Sequence, residues 1–553
     1  MPGLRLFKTS FYSNIGANEP IPLETIKLGS TKGIGSSTRI FNWCKQHSPN
    51  PSLCINQFIS VTNTNNNNNN NCNLLPKDTP YQLCSPWPQF GGLDNTNSRY
   101  TPILGSQTGI SKVLYTSDSG QLFQASTSPA IASDGTIYVG YNTVDTINEI
   151  GNSYVQGFLV AFNSNGSIKW TFSLPQPDSN NIQSYFNGST PTIGLDGTIY
   201  FGIVTDNGGG YGLKGPVGST SVYAINPDGT LKWVRNNIVP FNAPQPPLNN
   251  GSNSVSITAS LVIGSDNNLY FGCSASSSLT PQQSSSLFSL DSKTGTTNWE
   301  YPLSYAPNSL TISTIYDSVA IDNNNNIYFI CQKNVYNNNL VYLISLTSNG
   351  NFRYICDLNN GNTNNIVSYG RPVLSVDNSN VYAISIYNRN SLLLYSINAQ
   401  TGSSSLIQSI SVNNYFNLTN SMARDNQNNL YFSTTDLTYN GVLYSVNNNG
   451  SINWTYTINA PSNSYVLIDC TPAISSDGTI YFGVLISDFN TIYDYHMYAL
   501  NNNGTLKWSK LLSTNAYIFS TSPSINLQGN LIMTVLTGNY HSQTAGSIMY
   551  SFS

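Results

Sequence analysis

Side chains able to perform chemistry are few in this chain and lie far apart. The three histidines, His47, His496 and His541, occupy separate regions, and none neighbours a serine or cysteine in a nucleophile motif. Four of the eight cysteines, Cys44, Cys54, Cys72 and Cys84, crowd the N-terminal segment, with 9, 17 and 11 residues between them; Cys273, Cys331, Cys356 and Cys470 are scattered. Zinc draws on closer pairs, and no C-x-x-C occurs. The first four are read as thiols or as disulfide and assembly cysteines, according to the redox compartment. The run Gly208 to Gly210 lies in a loop with no helix after it, which argues against a phosphate loop. Asp134, Asp196 and Asp477 sit in D-G-T, and Asp266, Asp322 and Asp425 in D-N-N-like positions. Turn formation explains their recurrence better than calcium, because Asp, Asn and Gly tolerate positive φ. The expected catalytic and metal-ligating sets are therefore empty, and no enzyme is expected.

Composition points the same way. Only 8% of the 553 residues are charged, whereas 39% are hydrophobic and 12% aromatic, so burial rather than charge repulsion governs the chain. A net charge of −4 argues against a nucleic-acid coat, although residues 1 to 50 carry six basic side chains against Glu19 and Glu24. No run of about 18 apolar residues marks a membrane span, and the start lacks the apolar core of a secretory signal.

The elements that must position these residues are internal repeats. SPAIASDGTIYVG (128 to 140) returns at 190, 260, 318, 371, 421, 471 and 522, eight copies whose aligned positions, Tyr138 to Ile532, lie 49 to 70 residues apart. Each copy is an apolar run, an Asp/Asn/Gly turn and an alternating apolar run, which predicts a β-hairpin. A second hairpin follows in seven of them, as in LVAFNSNGSIKW (159 to 170) and MYALNNNGTLKW (497 to 508). Two hairpins give four antiparallel strands, one propeller blade, and a ring leaves no bare sheet ends. The last copy stops at its third strand, so ISKVLYTS (110 to 117) is expected to complete it beside 548 to 553. The fold expected is all-β, an eight-bladed propeller over 86 to 553, with seven blades as the alternative and residues 1 to 85 as a basic, Cys- and Asn-rich extension.

The first-hairpin and K-W patterns resemble the PQQ-like, or quinoprotein-dehydrogenase-like, β-propeller repeat, and SPWPQFGGLDNTNSRY (85 to 100) is similar to the W-P-x-F-G segment that introduces such propellers. The resemblance covers about residues 86 to 553. It implies that the aromatic ending each second hairpin docks between blades: Trp170, Trp233, Trp299, Tyr354, Trp454 and Trp508, with Leu406 in the fifth copy. Quinone enzymes of that family hold calcium through carboxylates and often carry adjacent cysteines, which this chain lacks, so no cofactor is expected. At the head of each copy stand Ser128, Thr190, Ser260, Ser318, Arg371, Ser421, Thr471 and Ser522, expected near the central channel. Arg371 is the exception among hydroxyls: a channel anion contact, or an arginine satisfied by Asp317 or Asp469.

The Asn tract 65 to 71 and the run 29 to 58 resemble virion proteins of giant, mimivirus-like DNA viruses of amoebae. That resemblance implies a virion or infected-host cytoplasmic location and a self-assembling structural role. The leading expectation is a homo-oligomer or filament joined through the N-terminal arm, with other virion proteins as further partners. A glycan- or protein-binding module is the alternative, and a quinone-dependent dehydrogenase the third. Nucleic acid is not expected as a partner, because the basic residues are dispersed.

Overall fold

The computed structural model describes residues 80–553 except for 118–121, 146–153, 176–182, 207–218, 244–252, 258, 278–282, 308–309, 311–312, 316, 334–338, 363–365, 368–369, 389, 413–421, 469, 489–492, 515–520 and 538–545. Cys44, Cys54, Cys72, Ser421, Asp469 and nearly all of the N-terminal extension therefore lie outside the described residues.

The described residues are all-β apart from one 3-10 turn at Leu303–Tyr305, and the architecture is propeller-like. The first copy sets the pattern. Its two-residue inner strand Ala130–Ile131 pairs with Ile137–Asp145, which pairs with Tyr154–Phe162, which pairs with the outer strand Ile168–Ser173, all antiparallel. The alternation of this sequence dictates that arrangement: successive side chains leave opposite faces of a strand, and both faces of the middle strands are buried, as in Gly441–Val446. The inner strand is short because Ser126 to Pro129 interrupts it; Leu122–Ala125 pairs with the far half of Ile137–Asp145. Proline lacks the N–H that a continuous ladder would need.

The D-G-T turn explains why the hairpin closes where it does. Gly135 has φ 82°, and the Asp134 carboxylate accepts the Thr136 amide at 2.9 Å. In the D-N-N copies asparagine takes the left-handed position instead, with Asn267 at 61° and Asn325 at 58°.

The last copy supplies three strands, Ser524–Ile525, Leu531–Thr537 and Gly546–Phe552. Its fourth comes from ahead of the first copy: Ser111–Thr116 pairs antiparallel with Gly546–Phe552, from Ser111 opposite Phe552 to Thr116 opposite Ile548. The copies are not wholly separate sheets. Gln183–Tyr185 touches Tyr154–Phe162 through one parallel pair, Gln156 with Ser184, which joins the first two copies.

The apolar core lies between copies. Phe186, Phe201 and Tyr223 of the second copy pack with Leu159 of the first, and the pattern repeats pairwise along the chain. One cluster combines Ile131 and Phe162 of the first copy with Met497 of the seventh and Met533 of the last. No helix among the described residues is long and apolar enough to cross a membrane.

Candidate functional site

The heads of the copies are tied to one another. The Ser128 amide donates to Thr190 Oγ1 at 3.2 Å, Thr190 to Ser260 Oγ at 3.0 Å and Ser260 to Ser318 Oγ at 3.1 Å. On the other side Thr471 donates to Ser522 Oγ at 3.1 Å, and Ser522 to Ser128 Oγ at 2.9 Å, joining the last copy to the first. A short hydroxyl is what this spacing requires, since it reaches the next backbone without filling the space in front of it. Arg371 stands where that chain of hydroxyls breaks.

The inner strands are bridged by residues 81–103 of the same chain. Main-chain carbonyls of Trp87, Pro88, Asn95, Thr96, Ser98 and Arg99 accept the amides of Ile131, Ile193, Ile321, Leu374, Arg424 and Ile474, at 2.8 to 3.0 Å. The Ile263 amide donates to the Tyr81 hydroxyl at 3.4 Å, and the Arg99 guanidinium donates to the Pro523 carbonyl, so every copy is met. Trp87, Arg99 and Tyr81 are completely buried. Arg99 also donates from Nε to the Pro472 carbonyl at 3.0 Å and from Nη1 to the Phe90 carbonyl at 2.5 Å, with the Trp87 and Phe90 rings about its guanidinium. Burial first, and the neighbouring Arg371 second, pull the Arg99 pKa well below the usual guanidinium range.

Arg371 is buried and lies 4.2 Å from the centre of the Phe90 ring. Burial lowers its pKa to about 10, and the Asp317 carboxylate opposes that shift. Of the two carboxylates expected to satisfy it, Asp317 acts on it, and Asp469 is outside the described residues. Arg424 is a third buried arginine; Nη2 donates to Thr96 Oγ1 at 3.0 Å and Nη1 to the Asp425 carbonyl at 2.8 Å.

Sequence reasoning reached Trp87 and Phe90 only through a family resemblance, and missed Arg99 and Arg424. Segment 81–103 has no strand periodicity to give it a place. One signal was available: five of the seven tryptophans end second hairpins, whereas Trp87, like Trp43, stands outside that repeat. Tyr81 and Gln82 also pack with the repeats, the Gln82 amide donating to the Ile193 carbonyl, although the sequence reading assigns them to the extension.

The six aromatics at the ends of second hairpins form a different constellation. Trp170 Nε1 donates to the Pro227 carbonyl of the following copy at 3.0 Å, and its ring covers Gly229, where a Cβ would fall 2.7 Å from the indole. Trp233, Trp299 and Trp454 repeat this on Ser292, Ser348 and Asn502, at 3.0, 2.8 and 2.8 Å. Tyr354 reaches the Ala399 carbonyl with its hydroxyl at 3.0 Å. Trp508 donates to the Ser106 carbonyl at 3.4 Å, in the segment leading to Ser111–Thr116. Leu406 has no polar atom to donate, and Gln408 takes over by donating to the Gly450 carbonyl at 2.9 Å.

The repeated aspartates are committed within their own copies. Lys169 bridges Asp134 at 2.9 Å, Lys232 bridges Asp196 at 2.8 Å and Lys507 bridges Asp477 at 3.2 Å. Burial pushes the Asp477 carboxyl up, but hydrogen bonds from Ser475, Thr479 and Lys507 outweigh it and hold the pKa at about 2. Asp322 and Asp425 accept Tyr328 and Tyr431 hydroxyls at 2.7 and 3.0 Å. Cys84 is half-buried with φ 70°, and burial raises its thiol pKa. Cys273 and Cys331 are buried in the core, where desolvation likewise raises their pKa values.

A family model described as "Outer membrane protein assembly factor BamB", of the PQQ-like repeat type, matches residues 111–408, more than half of the chain. The chain belongs to that repeat family. No curated protein matches it. Among solved structures it is similar to a member of the DUF4221 family from Bacteroides vulgatus, at 10% identity and TM-score 0.31, covering 52% of this chain and 90% of that one. A second is a protein of unknown function from Dyadobacter fermentans, at 11% identity and TM-score 0.35, covering 81% of this chain and 100% of that one.

A quinone with its calcium, held on the axis by some members of the wider superfamily, does not fit the described residues there. A planar quinone needs an open slot and the metal needs converging carboxylates. The axis instead holds Trp87, Phe90 and three buried arginines, with small hydroxyls around them.

Proposed function

We propose that this chain is a non-enzymatic structural or interaction protein, built as an eight-bladed ring without a cofactor. The observation that carries this reading is the occupant of the axis: the place where a propeller of this kind would bind a small molecule is filled by the chain's own residues 81–103. The ring is supported by the Ser111–Thr116 pairing with Gly546–Phe552, the Ser522 to Ser128 hydrogen bond, and the core cluster shared by first, seventh and last copies. With the axis filled, the surfaces left for partners are the two faces and the rim.

The partner we propose is a second copy of the chain, engaged through the arm that precedes residue 80. That arm is net basic, whereas the remainder of the chain is net acidic, and a tail docking on an identical neighbour makes a heterologous contact that propagates into rings or filaments. A place in a giant-virus particle or filament draws its support from the Asn tract 65 to 71 and the run 29 to 58. Purified protein should neither carry a quinone absorbance nor reduce a dye with alcohols or sugars when quinone and calcium are added. Robust turnover there would overturn the proposal.

A further inference from the structure

The segment 81–103 has the features of a bound peptide. It enters and leaves on one side: Gln82 accepts the Ser133 amide at 2.9 Å through Oε1, the Ser476 amide donates to the Ile103 carbonyl at 2.9 Å, and both partners lie at inner-hairpin turns. Between these ends it folds back on itself, with the Gly92 amide on the Gln89 carbonyl at 3.1 Å and the Arg99 amide on the Gly91 carbonyl at 2.9 Å. The fold-back is close, since a Cβ at Gly92, where φ is 96°, would fall 3.1 Å from Arg99 Cα.

Its bonds to the repeats are mainly backbone to backbone, and a few side chains each hold two neighbouring copies. Asn97 Nδ2 donates to the Val319 carbonyl at 3.1 Å and to the Pro372 carbonyl at 3.0 Å, spanning the fourth and fifth copies. Arg99 spans the seventh and eighth through Pro472 and Pro523. At these heads the carbonyls of Val319, Pro372, Pro472 and Pro523 accept from Asn97 and Arg99 of the segment. Main-chain bonds set affinity and buried anchors set selectivity, which is how an extended peptide is recognised by a sheet edge.

We infer that the centre of the ring is a peptide-binding site filled in cis, and that residues 81–103 are its ligand and the clasp that holds all the copies in one register. The ligand class is a folded-back peptide with an aromatic–Pro–x–aromatic–Gly start, a buried arginine and an asparagine that reaches two carbonyls. The inference rests on the ring arrangement proposed above. It is a cis arrangement because the link onward is short and fastened: Thr108 and Gly109 amides donate to the Ser553 carbonyl at 3.3 and 3.1 Å.

The test is hydrogen exchange on the full chain carrying Trp87→Ala and Arg99→Ala together. The amides of Ile131, Ile193, Ile321, Leu374, Arg424 and Ile474 should lose protection as a group, by about tenfold or more, while the Ile137–Asp145 and Tyr154–Phe162 pair keeps it. A synthetic peptide of residues 80–106, added to this variant, should restore protection at those six positions saturably, and a scrambled peptide should not. Loss confined to the seventh and eighth copies, or no rescue by the peptide, would overturn the inference. Should the variant fail to fold, native-state exchange of the unaltered chain in dilute denaturant decides: the six amides should open with one common free energy, and copy-by-copy opening would refute the clasp. Protection in Ser111–Thr116 reports ring closure separately, so a failure of the ring is told apart from a failure of the clasp.

Discussion

At the scale of single residues, the chain spends its few charged side chains, and the tryptophans of its repeats, on geometry. Trp233 joins two copies through one hydrogen bond and one ring face, with part of its surface in solvent. Trp233→Ala should therefore cost on the order of 2 kcal/mol, less than the roughly 3–5 kcal/mol of a fully buried tryptophan. Denaturant midpoints would check this, and an unchanged midpoint would mean the indole is not a tie between copies. Gly229→Ala should destabilise through the same contact, because the new Cβ would strike Trp170 and φ is 89°.

The Asp477 carboxyl, held at about 2, gives a pH dependence of known sign. An acid whose pKa is lower folded than unfolded contributes stability that is fully present above the unfolded value, 3.8, and lost as pH falls toward 2. Thermal midpoints of the unaltered chain should fall over that interval more steeply than those of Asp477→Asn. Equal slopes would show that the Lys507 and Thr479 contacts do not hold the charged form.

At the scale of elements, the hairpins were legible in the sequence and the occupant of the axis was not. D-G-T and N-G turns fix φ locally, so Gly135 and its counterparts announce the hairpins without reference to the rest of the molecule. Ser111–Thr116 was legible because a three-stranded last copy needs a fourth strand of that length and alternation. Segment 81–103 is held by carbonyls whose partners are up to hundreds of residues away, and neither periodicity nor composition reports such contacts. The small hydroxyls at the heads were legible as residue types, whereas their hydrogen bonds to the next backbone became visible only with the copies side by side. Truncations separate these elements. Removing 1–117 should lower thermal stability sharply, since it takes both the closing strand and the clasp and bares two sheet edges. Removing 1–79 should leave the midpoint nearly unchanged, and an equal loss from both would place part of the core in the arm.

For the whole molecule, the proposed ring with residues 81–103 at its centre is expected to meet other molecules by its faces, rim and arm rather than by an internal pocket. Removal of 1–79 should then yield a monomer, checked by light scattering, while the full chain assembles. If the shortened protein polymerises to the same extent, the contact lies between propeller faces. The most direct measurement is electron microscopy of the purified full-length protein. An eight-bladed disc with density through its axis, repeated in an ordered array, is expected; a disc with an open axis holding a small molecule, or dispersed single discs at every concentration, would refute the filled, self-assembling ring.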